Sequence, residues 1–386
     1  MRTLLKAYVV LSLAFLGACS SLKDTAEPPT ELSKIQQEVT LKKLWQANTG
    51  KGSGEFLLGL QPLIHGDSVY VSDHRGVVTA YDKLSGKKQW RQKLKVAISA
   101  ALGTADGALY LGGRDGELLA LSKSDGSLLW RTPLSGEILA APKAGLGMVV
   151  AQTSDGALHG VANNSGEVVW TNRRSLPSLS LRGTSAPVVD NDLVLTGMAN
   201  GRVLALSILD GRVVWEAPIG VPQGRTELQR MTDADAPPLV DGGLIYAAAY
   251  QGRVAAVARE TGRILWARDI SAYSGMALDN EGSLFVGDEN SQLWGLDKSN
   301  GATLWVQDKL RARHLTAPVN LQDYIVVGDF EGYIHILSTV DGRLLGRKRY
   351  AKDGYITPAI VDGDTLYMLD REGELTAFQL QGNKPG

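Results

Sequence analysis

The side chains that most often bind metals or carry out hydrolysis are scattered along this chain of 386 residues. The five histidines, which are His65, His74, His159, His314 and His335, lack the short spacings of zinc ligands, and no acidic segment has the spacing of a calcium loop. No serine lies in a G-x-S-x-G nucleophile motif, and no glycine-rich loop precedes a helical pattern that could hold a phosphate. The sequence therefore predicts no catalytic residue, no metal site and no cofactor, and we expect a protein that is not an enzyme.

Covalent chemistry is predicted at one residue, Cys19, which is the only cysteine of the chain. The segment Leu16-Gly17-Ala18-Cys19 looks like a lipobox, in which the cysteine thiol is acylated and the chain is cut before it. A thioether to lipid would account for a single thiol in an exported protein, and it leaves nothing for a disulfide. In the lipoproteins that this segment resembles, Asp after the cysteine favours the inner membrane, so Ser20 predicts the outer membrane.

The residues before Cys19 have the features of a secretory signal peptide. Arg2 and Lys6 form a basic start, residues 7–15 are apolar, and small residues follow. No later segment approaches the ~20 apolar residues that a membrane span requires. We therefore predict a signal peptide over residues 1–18, followed by the lipidated cysteine and a polar, flexible tether over residues 19–40.

The charge of the chain is nearly balanced, with 40 basic and 41 acidic residues. Such a balance gives no broad positive field toward a nucleic acid or an anionic membrane surface. We therefore expect no nucleic-acid partner, and we expect contact with the membrane through the lipid anchor only.

A repeated unit occupies most of the remaining sequence. It consists of a Gly, an alternating apolar stretch, a second Gly ten positions after the first, and a Trp fourteen positions after the first. The unit recurs at Gly76/Gly86/Trp90, Gly116/Gly126/Trp130, Gly156/Gly166/Trp170, Gly201/Gly211/Trp215 and Gly252/Gly262/Trp266, with degenerate copies at Ser291/Gly301/Trp305 and Gly332/Gly342/Gly346. Short β-rich runs separated by turn residues complete four strands per ~40 to 50 residues, which is the period of a β-propeller blade.

An eighth copy begins at Gly373, but its Trp would fall at position 387, beyond the last residue. Residues 41–45 end in Trp45, which has no glycine partner upstream, so we expect this segment to supply the missing strand. The predicted fold is all-β: an eight-bladed β-propeller of four-stranded antiparallel blades over residues 41–380, closed by an N-terminal strand that completes the last blade. Residues 381–386 form a C-terminal tail. Closure is required because an open ring would expose an unpaired sheet edge.

Three links between blades are longer than the others. The distance from the Trp to the next Gly is 25 to 27 residues in most blades, but 31 after Trp45, 31 after Trp170 and 37 after Trp215. The link after Trp45 is glycine-rich over residues 49–54, which indicates flexibility rather than binding. The other two insertions follow an outer strand and lead into the next inner strand, so we expect them on one face, from neighbouring blades. Residues 172–183 combine three arginines with three leucines, and residues 221–236 carry acidic side chains, a mixture suited to an interface. From spacing alone, leucines packed beneath their own loop with solvated charges are an equally good interpretation.

Two resemblances add to this interpretation. The unit Ala80-Tyr81-Asp82-x3-Gly86-x3-Trp90 resembles the PQQ-like repeat of quinoprotein dehydrogenases, a likeness that extends over residues 41–380 and implies fold rather than function. Taken with the lipobox-like segment and the tether, residues 179–183 (Leu-Ser-Leu-Arg-Gly) and 231–235 (Met-Thr-Asp-Ala-Asp) resemble the BamB family, lipoproteins of the outer-membrane β-barrel assembly machinery.

The BamB resemblance implies a non-enzymatic scaffold that binds the periplasmic POTRA domains of a BamA-like barrel subunit and aids folding and insertion of β-barrel proteins. The family's contact residues, two leucines and an arginine in one loop and two aspartates in another, match Leu179, Leu181, Arg182, Asp233 and Asp235. It further implies a monomer within a hetero-complex, anchored to the outer membrane and facing the periplasm. Unfolded outer-membrane proteins are a second candidate partner.

Two other functions are kept as alternatives. A PQQ-dependent dehydrogenase would share the repeat, but such enzymes commonly carry adjacent cysteines and a calcium site, and this chain has one cysteine and no recognisable calcium-loop spacing. A carbohydrate- or peptidoglycan-binding propeller would use the axial funnel, and the sequence leaves that function open.

Overall fold

Eight four-stranded antiparallel sheets form a ring in the computed structural model, which describes residues 27–56, 58–177, 179, 185–220, 222 and 225–382. The predicted eight-bladed propeller is therefore confirmed. Strand numbers follow the chain, and β1 belongs to the last blade, so blade 1 consists of β2 to β5 and blade 8 of β30, β31, β32 and β1.

The innermost strands are β2 (Leu63–His65), β6 (Gly103–Ala105), β10 (Lys143–Gly145), β14 (Val188–Asp190), β18 (Leu239–Asp241), β22 (Met276–Leu278), β26 (Val319–Leu321) and β30 (Ile360–Asp362). The second strands are β3 (Ser68–Ser72), β7 (Ala108–Gly112), β11 (Met148–Gln152), β15 (Leu193–Gly197), β19 (Leu244–Ala248), β23 (Ser283–Gly287), β27 (Tyr324–Gly328) and β31 (Thr365–Leu369).

The third strands are β4 (Val77–Asp82), β8 (Glu117–Ser122), β12 (Ala157–Ala162), β16 (Arg202–Ser207), β20 (Val254–Ala258), β24 (Leu293–Asp297), β28 (Tyr333–Ser338) and β32 (Glu374–Gly382). The outer strands are β5 (Lys88–Lys93), β9 (Leu128–Pro133), β13 (Val168–Arg173), β17 (Val213–Pro218), β21 (Ile264–Arg268), β25 (Thr303–Gln307), β29 (Leu344–Arg349) and β1 (Val39–Asn48). The helical segments described are a 3-10 turn, Gly54–Phe56, and α1, Glu227–Arg230.

The core lies between the blades, along their second and third strands. All five residues of β7 are buried, as are the four central residues of β8, whereas β9 is largely exposed. Because neighbouring blades cover both faces of the middle strands, those strands are continuous apolar runs rather than alternating ones.

Tryptophan side chains of seven outer strands join each blade to the next. Each indole packs on the second Gly of the following repeat and donates its Nε1–H to a backbone carbonyl three residues before that Gly, at 2.7–3.1 Å. At Gly211, for example, φ is 67° and the Trp170 ring occupies the place of a side chain, so only glycine fits. This interlock explains why the fourteen-residue spacing recurs.

The N-terminal strand closes the ring as predicted. In the antiparallel pair of β1 and β32, Lys43 lies opposite Phe378 and Trp45 opposite Ala377, with a bulge between the two pairs. The other seven blades have a register shift at the equivalent place between their third and outer strands. The donated strand therefore reproduces the geometry of an ordinary outer strand.

Residues 27–38, which we call the N-terminal strap, lie along blade 7. The backbone N–H of Thr30 donates to the Arg311 carbonyl at 3.0 Å, and the N–H of Glu38 donates to the Leu345 carbonyl at 2.8 Å. Leu32 and Ile35 pack on an apolar cluster shared by blades 6 and 7. The prediction of a flexible tether is thus wrong for residues 27–38, because two apolar side chains and backbone hydrogen bonds dock this part. Cys19 and the rest of the predicted tether lie outside the described residues.

Candidate partner-binding surface

The two long links lie on one face of the ring, as expected from their spacing. One joins β13 to β14 and the other joins β17 to β18, so they belong to consecutive blades, and the Ser185 hydroxyl of the first donates to the Ala236 carbonyl of the second at 3.4 Å. We call the face formed by the outer-to-inner links the link face. The opposite face, formed by the tight turns such as residues 83–87, is the hairpin face.

The first insertion presents leucines to solvent. Leu176 packs beside Gly156, where an added Cβ would lie 2.8 Å from its side chain, yet it remains partly exposed. Leu179 is 47% exposed, so it does not pack beneath its own loop. The Arg174 guanidinium lies 3.6 Å from the Glu216 carboxylate, which ties the start of the loop to β17. The other predicted contacts of this loop, Leu181 and Arg182, lie outside the described residues.

In the second insertion the helical turn is exposed, and the segment that leads from it back to the ring is buried. Leu228 in α1 is 63% exposed, whereas Thr232, Ala234 and Ala236 are buried. The N–H of Ala234 donates to the Met198 carbonyl of blade 4 at 3.2 Å, and the Ala234 carbonyl leaves no room for a side chain on Gly197. Backbone contacts with blade 4 therefore fix the position from which α1 projects.

The two predicted acidic contacts occupy different environments. Asp233 is only 1% exposed, and its backbone exchanges two hydrogen bonds with Tyr250, at 3.3 and 2.7 Å. Asp235 is half-buried; burial raises the pKa of its carboxyl to about 6, against the effect of a hydrogen bond with Asp233. Asp233 thus belongs to the framework of the loop, while Asp235 lines a cavity of about 400 Å³ on the ring axis.

The described histidines do not come together. The His159 ring nitrogens lie 3.1 Å from the hydroxyls of Ser135 and Thr171, and His335 Nε2 lies 2.9 Å from the Asp329 carboxylate. Burial lowers the pKa of both imidazoles. Among the residues described, no three His, Cys, Asp or Glu side chains are placed to hold a metal ion. No helix in that part of the chain has the length and hydropathy needed to cross a bilayer.

Solved structures share the architecture. BamB from Moraxella catarrhalis is 27% identical, with a TM-score of 0.82 over 88% of this chain and 100% of that chain. A quinohemoprotein alcohol dehydrogenase from Pseudomonas putida HK5 is 14% identical, with a TM-score of 0.71 over 89% of this chain and 77% of that chain, a likeness that shows the fold alone. The chain is therefore an eight-bladed propeller built from PQQ-like repeats.

Sequence comparison narrows this class to one family. A family model described as outer membrane protein assembly factor BamB matches residues 74–307. The assembly factor BamB of Alkalilimnicola ehrlichii is 49% identical over 379 residues, which cover 98% of this chain and 97% of that protein. That of Pseudomonas aeruginosa is 46% identical over 375 residues, covering 97% and 98%. The chain belongs to the BamB family of outer membrane protein assembly factors, and its resemblance to quinoprotein dehydrogenases is confined to the fold.

Sequence reasoning missed one residue of the surface, Leu228, because one leucine in a polar segment has no periodicity, although its place in the longest insertion is a usable signal. The sequence also gives no sign that Asp233, which matches a contact residue of the family, is buried, since no local pattern indicates that Tyr250 pairs with its backbone.

Proposed function

We propose that the chain is a non-enzymatic scaffold of outer-membrane protein assembly, lipidated at Cys19 and facing the periplasm. Its link face would bind a POTRA domain of a BamA-like subunit through the two insertions. The proposed assembly role is based on the relatives, and the proposed binding surface is based on the placement of the two insertions.

The observation that carries the proposed surface is the exposure of leucines on two loops whose bases are fixed. Leu176 and Leu179 project from the first insertion, whose start is held by the Arg174–Glu216 ion pair. Leu228 projects from the second insertion, whose return segment is hydrogen-bonded to blade 4 through the N–H of Ala234. Exposed apolar side chains on a rigid scaffold are typical of a binding site, since they can be buried by a partner at little entropic cost. Leu181 and Arg182, adjacent in sequence, would extend the same surface.

The two aspartates have separate parts in this proposal. Asp233, which is buried, would position the second insertion rather than touch the partner, and Asp235 would lie where that insertion meets the ring axis. Substitution of Asp233 should therefore weaken binding through loop displacement and also reduce stability. Substitution of the exposed leucines should weaken binding alone.

Co-purification tests the surface. We expect Leu179→Ala with Leu228→Ala, and separately the triple change of Leu179, Leu181 and Arg182 to Ala, to abolish recovery of the BamA-like subunit from detergent-solubilised outer membranes. Because Leu179 and Leu228 are exposed, the free energy of unfolding of the first variant should change by no more than about 0.5 kcal/mol.

The matched control lies on the hairpin face. Leu84 and Leu209 are 77% and 58% exposed, so Leu84→Ala with Leu209→Ala removes similar apolar area from the opposite side. This variant should co-purify like the unaltered protein. Full recovery of the subunit by both link-face variants would rule out the surface.

The proposed anchor has its own test. Replacing residues 1–19 by a signal peptide that is cleaved without lipidation should move the protein from the outer-membrane fraction to the soluble periplasmic fraction, and mass spectrometry of the unaltered protein should show acyl chains on Cys19. Recovery of the unaltered protein without acyl chains on Cys19 would contradict lipid anchoring.

A further inference from the structure

A cavity of about 400 Å³ lies on the ring axis at the link face. It is lined by the last residues of the links from all eight blades, immediately before or within the inner strands. Its volume lies within the range of roughly 300 to 1,000 Å³ that is usual for small-ligand sites. Of the described residues assigned a part in partner binding above, Asp235 alone lines this space.

Most of the cavity wall is small and apolar. In blades 3, 4 and 7 the wall residue before the proline of the link is Ala141, Ala186 or Ala317, and Leu139 and Met276 add larger apolar area. Such a wall can cover an aliphatic chain but offers few hydrogen-bonding groups. A sugar is a poor match for this wall, because on binding it would lose many hydrogen bonds to water that the wall does not replace.

Polar residues interrupt this wall in only some of the blades. In blade 1 the equivalent residue is Gln61, but its amide is used, since it donates to the carbonyls of Pro358 and Ala359 at 3.3 and 3.5 Å. In blade 8 it is Thr357, which is 4% exposed and whose hydroxyl has no hydrogen-bond partner among the described residues.

Among the described residues, the wall contains one carboxyl group, that of Asp235, and no Lys or Arg side chain. The charge that these residues offer to a ligand is therefore negative. Tyr273 lies at the same wall, partly exposed, with its ring edge-on to Tyr250 at 6.2 Å. A carboxylate between apolar surfaces pairs most favourably with a cation that carries its own apolar stem.

We propose that the axial cavity binds a primary alkylammonium group, with the aliphatic stem against the alanine wall and the ammonium at Asp235. A lysine side chain of a bound polypeptide and a free aliphatic amine share this chemistry. The carboxylate of Asp235 disfavours an anion.

Titration of the purified propeller tests the proposal without any partner protein. Hexylamine, which is cationic at neutral pH, should bind at least about tenfold more tightly than hexanol, because only the cation makes a charge-assisted hydrogen bond. Two blocked peptides, identical except that one has lysine where the other has norleucine, distinguish a polypeptide ligand from a free amine. Preference for the lysine peptide assigns the site to polypeptides, and binding of hexylamine alone assigns it to free amines.

Variants locate the site. Asp235→Asn should reduce hexylamine affinity by about tenfold or more. The control is Asp353→Asn, an exposed acid on the blade 8 link outside the cavity, which should bind as the unaltered protein does. Melting temperatures of both variants confirm folding.

Several results would overturn the proposal: equal affinity for hexylamine and hexanol, no binding of either ligand, an unaltered affinity in Asp235→Asn, or the same loss in Asp353→Asn. The outcome is independent of the POTRA-binding proposal. Leu179→Ala with Leu228→Ala should lose co-purification with the BamA-like subunit yet keep its amine affinity, since neither leucine lines the cavity.

Discussion

The junction between blades 3 and 4 and the junction between blades 7 and 8 meet the same packing requirement with different parts of the chain. At the first, Trp170 of β13 packs on Gly211 and donates to the Ile208 carbonyl at 2.8 Å. At the second, Gly346 stands in the tryptophan position, and the carbonyl of Val39 in β1 lies directly against it. One junction is built by consecutive repeats and the other by the two ends of the propeller.

Aromatic contacts also differ between the two places. At the blade 7–8 junction, Tyr350 meets Phe378 edge-on at 4.7 Å, and its hydroxyl donates to the Leu41 carbonyl at 2.6 Å. The Tyr350–Leu41 bond joins residues 309 positions apart, whereas the tryptophan interlock joins residues about 40 apart. Closing a longer loop costs more entropy, so the blade 7–8 junction is where we expect the ring to open first.

The largest effect is expected at the tryptophan junction. Trp170→Ala should lower the free energy of unfolding by about 3 to 5 kcal/mol, because it leaves a cavity between two blades and an unpaired carbonyl. The urea midpoint measures this. Val169→Ala, at the neighbouring exposed position of β13, is the control and should change stability by no more than about 0.5 kcal/mol. Equal effects of the two changes would show that the interlock does not stabilise the ring.

Gly346→Ala should disturb the closing junction by about 1 to 3 kcal/mol, since the added methyl group overlaps the Val39 carbonyl. Amide hydrogens should exchange faster in residues 39–43, while the exchange rate at Trp170 should be unchanged. The control is Gly382→Ala at the end of β32, where an added Cβ meets nothing within 4 Å. Uniform loss of protection in every blade would contradict local opening.

Tyr350→Phe isolates one hydrogen bond of the same junction. Loss of the bond to the Leu41 carbonyl should lower the free energy of unfolding by about 1 kcal/mol, while the ring contact with Phe378 remains. Chemical denaturation measures the difference. Tyr324→Phe, which leaves the closing contacts intact, is the comparison, and a cost as large as that of Tyr350→Phe would argue against a specific role for the bond.

The smallest effect concerns two aspartates at the same turn position in blades 7 and 8. Burial would raise the pKa of Asp329, but a hydrogen bond from His335 and the nearby Arg313 guanidinium bring it below its ordinary value. Burial raises the pKa of Asp370 to about 6, and the charge of Glu374 adds to this rise. Ionised Asp329 therefore stabilises the fold at neutral pH, whereas ionised Asp370 destabilises it.

The sign of each pH effect follows from linkage. The raised pKa of Asp370 gives stability that is complete below the ordinary carboxyl pKa and is lost as the pH rises through about 6. Asp370→Asn should thus raise the melting temperature at pH 7.5 and have little effect at pH 4. Asp329→Asn should lower the melting temperature at pH 7.5, because ionised Asp329 stabilises the fold until the pH falls through its depressed pKa. Identical pH profiles for the two variants would contradict the assignment.

The ring could be predicted from the sequence because its packing rule is periodic. Gly211 and Trp170 belong to consecutive copies of one unit, and a spacing repeated seven times exposes their role. Closure was predictable for the same reason, since an unpaired Trp45 and an incomplete eighth copy complement each other. The N-terminal strap could not be predicted, because Leu32 and Ile35 form no periodic pattern and the strap's backbone hydrogen-bond partners lie some 280 to 310 residues away.

The candidate surface could be predicted in part. Lengths of the links identified the insertions, and the exposure of Leu179 agrees with that prediction. Burial of Asp233 depends on a strand of the next blade, and the axial cavity depends on eight links meeting around one axis. Neither property is local in sequence, so composition and spacing carried no signal for them.

The docking of residues 27–38 also has a mechanical consequence. A pulling force on the chain N-terminal to Glu27 would act first on the ion pair between Glu27 and Arg311. It would then act on the hydrogen bond from Arg313 to the Thr30 carbonyl before it reached β1. The load is thereby distributed over the sixth and seventh sheets, and the strand that completes the eighth is shielded from being peeled off its neighbour.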